Sequence, residues 1–253
     1  MKKIIVANWK MNNDSKEAAS FIEELKHLHS DAADVVICPP FTLLNEMNEL
    51  AKGSKIRIGA QNMHHEDSGA YTGEISPLML KDSGCQYVII GHSERREFFH
   101  EDGLLINKKI VSALKHSLTP ILCVGEDMGQ RENKKTEEIL ENQLRNCLKN
   151  IGKDSMPKII IAYEPVWAIS RGNPNHKAAT SQDAEEGHKF IRTMLENMFD
   201  KATARKTRII YGGSMKPENA KELLSMPDID GGLVGNASLD AKSFSEIIKC
   251  AEN

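Results

Sequence analysis

Three side chains in this sequence, Lys10, His92 and Glu164, could together move a proton between adjacent carbon atoms. A carboxylate can remove a carbon-bound proton, an imidazole can shuttle protons between oxygens, and an ammonium can hold the negative charge that develops on an enediolate. This chemistry requires neither a metal nor an organic cofactor. Taken singly, each residue has an ordinary alternative as a solvated lysine, a core histidine or a carboxylate in a surface ion pair.

Eight short apolar segments predict the elements that position these residues. Their apolar character is continuous rather than alternating, which is typical of strands buried on both faces of a parallel sheet. The segments are residues 4–7, 35–38, 56–60, 87–90, 120–124, 159–163, 207–211 and 232–234. Segments of helical period separate them, and the apolar stripes at residues 18–28, 140–151 and 184–198 are interpreted as core packing.

The order of these elements predicts an α/β protein that forms a single (β/α)8 barrel domain over residues 1–253. No Pro/Gly/Ser-rich linker divides the chain. The alternative is an open doubly wound sheet, but the sequence has no G-x-G-x-x-G after the first strand and no G-x-x-x-x-G-K-[ST] anywhere. In such barrels function gathers at the carboxyl ends of the strands, which is where Lys10, His92 and Glu164 fall.

Two glycine-rich strand ends indicate a phosphate site. The seventh predicted strand leads into Gly212-Gly213-Ser214, and the eighth leads into Gly235-Asn236. Backbone N–H groups in such segments can approach an anion closely, and barrels of this type commonly bind phosphate after strands seven and eight. The alternative is that the glycines only serve tight turns.

Composition limits the partners and the compartment. The chain has 33 Lys plus Arg against 36 Asp plus Glu, a net charge of −3, without the positive field that favours nucleic acid or an anionic membrane. Five widely spaced cysteines form no C-x-x-C pair, and no apolar run approaches the length of a membrane span. We therefore expect a cytoplasmic protein with reduced thiols that binds no nucleic acid, no membrane and no metal.

The chain resembles triosephosphate isomerases over essentially its full length. Five motifs carry the resemblance: ANWKMN at residues 7–12, GHSERR at 91–96, CVGE at 123–126, AYEPVWAI at 162–169 and YGGS at 211–214. The resemblance implies a TIM barrel that acts in glycolysis and gluconeogenesis without a cofactor. It further implies a small phosphorylated sugar as substrate, with interconversion of dihydroxyacetone phosphate and D-glyceraldehyde 3-phosphate through an enediol(ate).

The resemblance also implies roles for the catalytic residues. Glu164 is expected to be the base that abstracts the proton alpha to the carbonyl. His92 is expected to be a neutral imidazole at the start of a short helix, where the helix N-terminus disfavours added positive charge. Lys10 is expected to supply fixed positive charge to the phosphate and the enediolate, with Asn8 fixing orientation nearby.

Further residues are assigned to the substrate and to support of the site. The resemblance places Ser170, Ser214, Gly235 and Asn236 at the substrate, and it makes Glu94 and Cys123 supports of the catalytic residues. An ordinary ion pair for Glu94 and a core role for Cys123 are the alternatives.

The predicted lid, residues 166–179, departs from the family pattern. Residues 170–180 read SRGNPNHKAAT and are about four residues longer than usual, with Ser170 where the family has a glycine. Asn236 likewise replaces a glycine after the eighth strand, and asparagine tolerates the left-handed backbone better than most residues. We expect these changes to affect lid closure or substrate choice.

Residues 61–75, which include Tyr71 and Thr72, resemble the loop that joins two subunits of the family, so we expect a homodimer. The adjacent His64 and His65 lack a third ligand at metal spacing, and we interpret them as interface or surface residues. Two functional alternatives remain at this stage. One is a related isomerase of a four-carbon ketose phosphate, and the other is an inactive barrel that serves as a scaffold.

Overall fold

The computed structural model describes residues 1–26, 33–169 and 178–252. Within these ranges eight parallel strands close into a barrel in sequence order, and the eighth pairs with the first. The strands are β1 Lys3–Asn8, β2 Ala33–Cys38, β3 Ile56–Ala60, β4 Tyr87–Ile90, β5 Thr119–Val124, β6 Ile160–Tyr163, β7 Arg208–Tyr211 and β8 Gly231–Val234. The predicted (β/α)8 barrel is confirmed, and each predicted segment overlaps one strand.

Helices cover the outside of this barrel. In the described ranges they are α1 Ser15–Leu25, α2 Leu44–Leu50, α3 Pro77–Asp82, α4 Ser93–Phe98, α5 Gly103–Lys115, α6 Met128–Glu132, α7 Thr136–Cys147, α8 Ser181–Met198, α9 Lys201–Lys206, α10 Pro217–Ser225 and α11 Ala241–Lys249. Several begin at side chains that accept a backbone N–H of the first turn, as Asp14 does for α1 and Asp240 for α11. Pro217 occupies the first turn of α10, where its missing N–H costs nothing.

The predicted apolar stripes are largely buried. Helix α1 buries Ala18, Phe21, Ile22 and Leu25, while Leu28 lies outside the described residues. Helix α7 ends at Cys147, before the predicted end of its stripe at Ile151. The chain turns there because Asn150 adopts a left-handed conformation, with φ of 62°.

Two apolar layers explain why the strands are apolar on both faces. On β1, Ile4 and Val6 belong to the cluster inside the barrel, whereas Ile5 and Ala7 belong to the cluster between barrel and helices. Burying a large apolar side chain contributes roughly 1.5–3 kcal/mol. The barrel is therefore a packed frame, and the residues that follow its strands are held in fixed relative positions.

Candidate active site

A cavity of about 420 Å³ opens at the carboxyl ends of the strands. Seven of the residues selected from the sequence line it: Asn8, Lys10, His92, Glu164, Ser214, Gly235 and Asn236. Glu94 contacts Lys10, and Cys123 lies at the end of β5 inside the barrel. Ser170 lies outside the described residues.

Glu164 follows β6 and is held by its neighbours on both sides. Its N–H donates to the Val124 carbonyl at 2.8 Å, and its side chain is only 2% exposed. Oε2 accepts the Ser93 N–H at 2.9 Å. Oε1 lies 2.8 Å from His92 Nε2, yet among the described residues no aligned hydrogen bond reaches it. One carboxylate oxygen is thus anchored and the other is available to a ligand.

Neighbouring polar groups keep this buried carboxyl ionised. Burial raises the pKa of Glu164, but nearby His92, the Ser93 N–H and the Lys10 ammonium together hold the pKa below its usual value of 4.5. Glu164 is therefore a carboxylate at neutral pH, the form that can accept a proton.

The space for Glu164 depends on two glycines. A β-carbon at Gly125 would lie 1.7 Å from the Glu164 carbonyl oxygen, and one at Gly212 would lie 2.8 Å from Glu164 Cγ. Both contacts are closer than real β-carbons allow. The glycines after β5 and β7 therefore let the base lie against its neighbouring strands.

His92 is the residue that precedes α4, as predicted. Its Nδ1 accepts the Glu94 N–H at 3.3 Å and lies 3.5 Å from the carboxylate oxygen Oε2 of Glu94. A backbone N–H can only donate, so Nδ1 presents its lone pair and the proton of the neutral imidazole resides on Nε2. That N–H is the one beside Glu164, at the cavity.

Lys10 follows β1 in a strained conformation. Its φ of 52° lies in the left-handed region, which costs a residue with a β-carbon about 1–3 kcal/mol. Two side chains hold it: Asn8 Oδ1 accepts its N–H at 3.1 Å, and Gln61 Nε2 donates to its carbonyl at 2.8 Å. Nζ lies 2.7 Å from Glu94 Oε1. The ammonium is thereby directed along the cavity wall.

Cys123 and Arg96 lie beneath the catalytic groups. Burial raises the pKa of the Cys123 thiol well above its usual value, so the thiol is neutral. Arg96 donates from Nη2 to the Cys123 carbonyl and from Nε to the Gly91 carbonyl, each at 2.8 Å. The sequence analysis did not single out Arg96, which ties the ends of β4 and β5 together.

The sequence analysis also did not select Glu126 and the residues that donate hydrogen bonds to it. Two of these donors, Val166 and Trp167, begin the predicted lid. Trp167 Nε1 donates to Glu126 Oε1 at 2.8 Å, and the Tyr163 hydroxyl donates to the same carboxylate at 3.1 Å. The Val166 N–H donates to the Glu126 carbonyl at 3.0 Å. Glu126 is fully buried, and burial raises its pKa against these hydrogen bonds. The sequence feature that could have identified Glu126 is its position in the CVGE motif, directly after β5.

The glycine-rich end of the cavity contains Gly212, Gly213, Ser214, Gly235 and Asn236. Asn236 begins a short 3-10 helix, residues Asn236–Ser238, so its backbone is helical. The left-handed conformation that the sequence analysis considered for Asn236 is therefore not used. Its side chain is exposed at the cavity rim, where it changes the space open to a ligand.

Two negative findings apply to the described ranges only. No group of three or more His, Cys, Asp or Glu side chains there could hold a metal ion. No described helix is long and apolar enough to cross a membrane.

Comparison with known proteins identifies relatives over nearly the whole chain. The sequence model of the triosephosphate isomerase family matches residues 3–251. The triosephosphate isomerase of Finegoldia magna is 53% identical over 249 residues, 98% of either chain. Those of Fusobacterium nucleatum and Dictyoglomus turgidum are 51% and 50% identical, each over 98% of this chain and 99% of the relative.

Proposed function

The chain belongs to the triosephosphate isomerase family, and we propose that Glu164, His92 and Lys10 perform the reaction of that family here. The reaction interconverts dihydroxyacetone phosphate and D-glyceraldehyde 3-phosphate, so the chain is an isomerase of a small phosphorylated sugar. One observation carries the proposal. The carboxylate oxygen Oε1 of Glu164 and Nε2 of the His92 ring lie 2.8 Å apart on the wall of a cavity that also contains the Lys10 side chain.

Glu164 Oε1 takes a proton from the carbon beside the carbonyl of the substrate. The electron pair of the broken C–H bond forms the carbon–carbon double bond of an enediolate, and the carbonyl oxygen becomes negatively charged. Glu164 then returns the proton to the neighbouring carbon, which yields the isomer. The Ser93 N–H on Oε2 limits the orientations open to the carboxylate, which favours a single base that serves both carbons.

His92 moves the proton between the two oxygens of the enediolate. Its Nε2–H donates to the oxygen that gains negative charge, while Nδ1 remains on the Glu94 N–H. A neutral imidazole suits this role because it gives up a proton to one oxygen and recovers one from the other.

Lys10 stabilises the charged species and binds the phosphate. Its ammonium lies on the same cavity as the backbone of Gly235 and Ser214, where N–H groups can approach phosphate oxygens. Asn8 orients the substrate and supports the Lys10 backbone. Ser170 and Asn236 are proposed at the phosphate end, and Glu94 and Cys123 as supports.

Residues 166–179 are proposed to close over the bound substrate. Closure excludes water and keeps the enediolate from losing phosphate. Glu126 supports this proposal, since it holds Val166 and Trp167 through separate hydrogen bonds and so provides a defined attachment for one end of the lid.

A comparison of substrates tests the function. The kcat/KM of the wild-type enzyme is measured for D-glyceraldehyde 3-phosphate and for a four-carbon ketose phosphate. We expect strong preference for the triose, because the relatives are triosephosphate isomerases. Preference for the four-carbon sugar would assign the longer lid and Asn236 to specificity, and turnover of neither sugar would leave the scaffold alternative.

The active form is proposed to be a homodimer joined through residues 61–75. Large apolar side chains in this loop or shortly after it are exposed, namely Tyr71, Leu78 and Met79. The His64 ring stacks on the His65 ring, and its centre lies 4.2 Å from the centre of the Tyr71 ring, so these three side chains of the loop contact one another. Such exposed apolar surface is typical of an interface. Sedimentation at micromolar concentration should show a dimer, and a fully active monomer would contradict the proposal.

Membership of the family supports further proposals on the domain, the compartment and the partners. Residues 1–253 are proposed to form one barrel domain, since the barrel closes between β1 and β8 at opposite ends of the sequence. The enzyme is proposed to act in the cytoplasm, where its phosphorylated substrates are used. The net charge of −3 supports the absence of nucleic acid from its partners.

A further inference from the structure

Trp9 does not line the cavity, although both of its neighbours in the chain, Asn8 and Lys10, do. Its side chain is fully buried in the apolar layer between the barrel and the helices. There its ring meets that of Phe21 edge-on, with the ring centres 5.0 Å apart. The indole N–H is a polar group and needs a hydrogen-bond partner when it is buried. The position of that partner shows what Trp9 does besides packing.

The indole N–H joins two distant segments of the chain. Trp9 Nε1 donates to the Ser238 carbonyl at 3.0 Å, 229 positions away in the sequence. Ser238 is the last residue of the short helix Asn236–Ser238 that follows β8. The main chain of Trp9 is itself fixed, because its N–H donates to the Cys38 carbonyl at 3.2 Å and its carbonyl accepts the Asn12 amide at 2.7 Å. The bond therefore ties the segment after β1 to the segment after β8.

Ser238 in turn holds Gly235. The Ser238 N–H donates to the Gly235 carbonyl at 2.8 Å. The Ser238 hydroxyl oxygen lies 2.7 Å from the same carbonyl oxygen and 2.9 Å from that of Val234. Ser238 is fully buried, so water does not compete for these hydrogen bonds. They close residues 234–238 into one turn, and the position of Ser238 thereby sets the position of Gly235.

The Lys10 side chain lies beside this turn. A β-carbon at Gly235 would lie 3.7 Å from Lys10 Cε, which is an ordinary van der Waals contact. Lys10 follows Trp9 directly in the chain, and Gly235 belongs to the turn that the indole of Trp9 holds. The ammonium and the backbone that are proposed to bind the phosphate are thus side by side, and Trp9 is attached to both segments.

We propose that Trp9 is a positioning residue for phosphate binding, which fixes the backbone of Gly235 and Asn236 relative to the Lys10 ammonium. The proposal rests on the proposed phosphate end of the cavity. Phenylalanine fills most of the same space but has no N–H, so the hydrogen bond rather than the packing carries this role. Without that bond the turn can shift relative to Lys10, and the two groups no longer meet one phosphate together.

Binding of glycerol 3-phosphate tests the proposal, because this ligand has the phosphate and three carbons of the substrate but no carbonyl to isomerise. In isothermal titration calorimetry, Trp9→Phe should raise its Kd about tenfold. This corresponds to roughly 1.4 kcal/mol, the scale of a buried hydrogen bond whose acceptor is left unpaired. The KM for D-glyceraldehyde 3-phosphate should rise by a similar factor, while kcat should change less than about twofold. The hydrogen bonds that hold Glu164 do not involve this turn.

The matched control is Phe21→Leu. This variant weakens the packing against the same indole but keeps the hydrogen bond from Nε1 to Ser238. Both variants should lower the unfolding midpoint, and only Trp9→Phe should weaken the binding of glycerol 3-phosphate. Equal Kd values for wild type and Trp9→Phe would overturn the proposal, and so would equal losses of affinity in Trp9→Phe and Phe21→Leu.

A double variant tests whether Trp9 acts through the turn. Ser238→Ala removes the hydroxyl contacts with the Val234 and Gly235 carbonyls and so loosens the same turn. The losses of affinity in Trp9→Phe and Ser238→Ala should therefore be less than additive, and full additivity would contradict the proposed route. Absence of glycerol 3-phosphate binding in the wild type would remove the proposed phosphate site itself. Wild-type binding that Trp9→Phe left intact would remove only the role of Trp9.

Discussion

Glu164→Gln should lower kcat for D-glyceraldehyde 3-phosphate by about 10²–10⁴-fold, the range that a positioned acid–base group supplies. Glutamine keeps the shape of the side chain and can still accept the Ser93 N–H, but it cannot take up a proton from carbon. Because the carboxylate has a lowered pKa, the wild-type base is already ionised at neutral pH and the whole effect appears there. Steady-state kinetics at matched protein concentrations measures this loss of kcat.

The control for this change is Glu138→Gln, which removes an exposed carboxylate from the first turn of α7. It should leave kcat within experimental error of the wild type. An equal unfolding midpoint for wild type and Glu164→Gln would exclude loss of the fold as the cause. If Glu164→Gln retained the wild-type kcat, Glu164 could not be the base.

Lys10→Met should lower kcat/KM by about 10²–10³-fold, comparable to the loss of one preorganised donor to a developing oxyanion. Methionine keeps much of the apolar stem and removes the ammonium that balances the phosphate and the enediolate. The strained backbone at residue 10 is held by Asn8 and Gln61 through backbone atoms, so it should survive the change. Initial rates over a range of substrate concentrations measure the loss.

Removing Lys10 also leaves the Glu94 carboxylate unpaired near the substrate. The double variant Lys10→Met/Glu94→Gln separates the two effects, because it removes both charges. We expect it to remain at least tenfold below wild type, and recovery to wild-type kcat/KM would assign the loss to repulsion from Glu94. Lys16→Met on the exposed side of α1 is the matched control and should leave kcat/KM unchanged.

The sequence predicted the barrel because its signals are local and repeated. Continuous apolar segments marked all eight strands, and burial on both faces is the physical reason for that pattern. The same rule placed Lys10, His92 and Glu164 at strand ends, and a closed barrel brings such ends together. The resemblance then supplied roles that composition and spacing alone left open.

Other features depend on contacts between distant residues and could not be predicted. The strain at Lys10 is supported by Gln61, which lies 51 positions away. The hydrogen bond from Trp167 to Glu126 likewise joins residues 41 positions apart. The apolar stripe of α7 continues past Cys147 into a turn, so the stripe alone did not give the end of the helix. The periodicity of apolar residues indicates which side chains face the core, but it does not indicate the backbone conformation between them.

Proton transfer through Glu164 is tested most directly by running the isomerisation in D₂O and analysing the product by NMR. A carboxylate that holds the transferred proton can exchange it with solvent before returning it to carbon. The wild-type product should therefore carry deuterium on the carbon that receives the proton, and Glu164→Gln should yield neither appreciable product nor label. If Glu164→Gln formed deuterium-labelled product as fast as the wild type, the proton would reach carbon without Glu164, and Glu164 could not be the base.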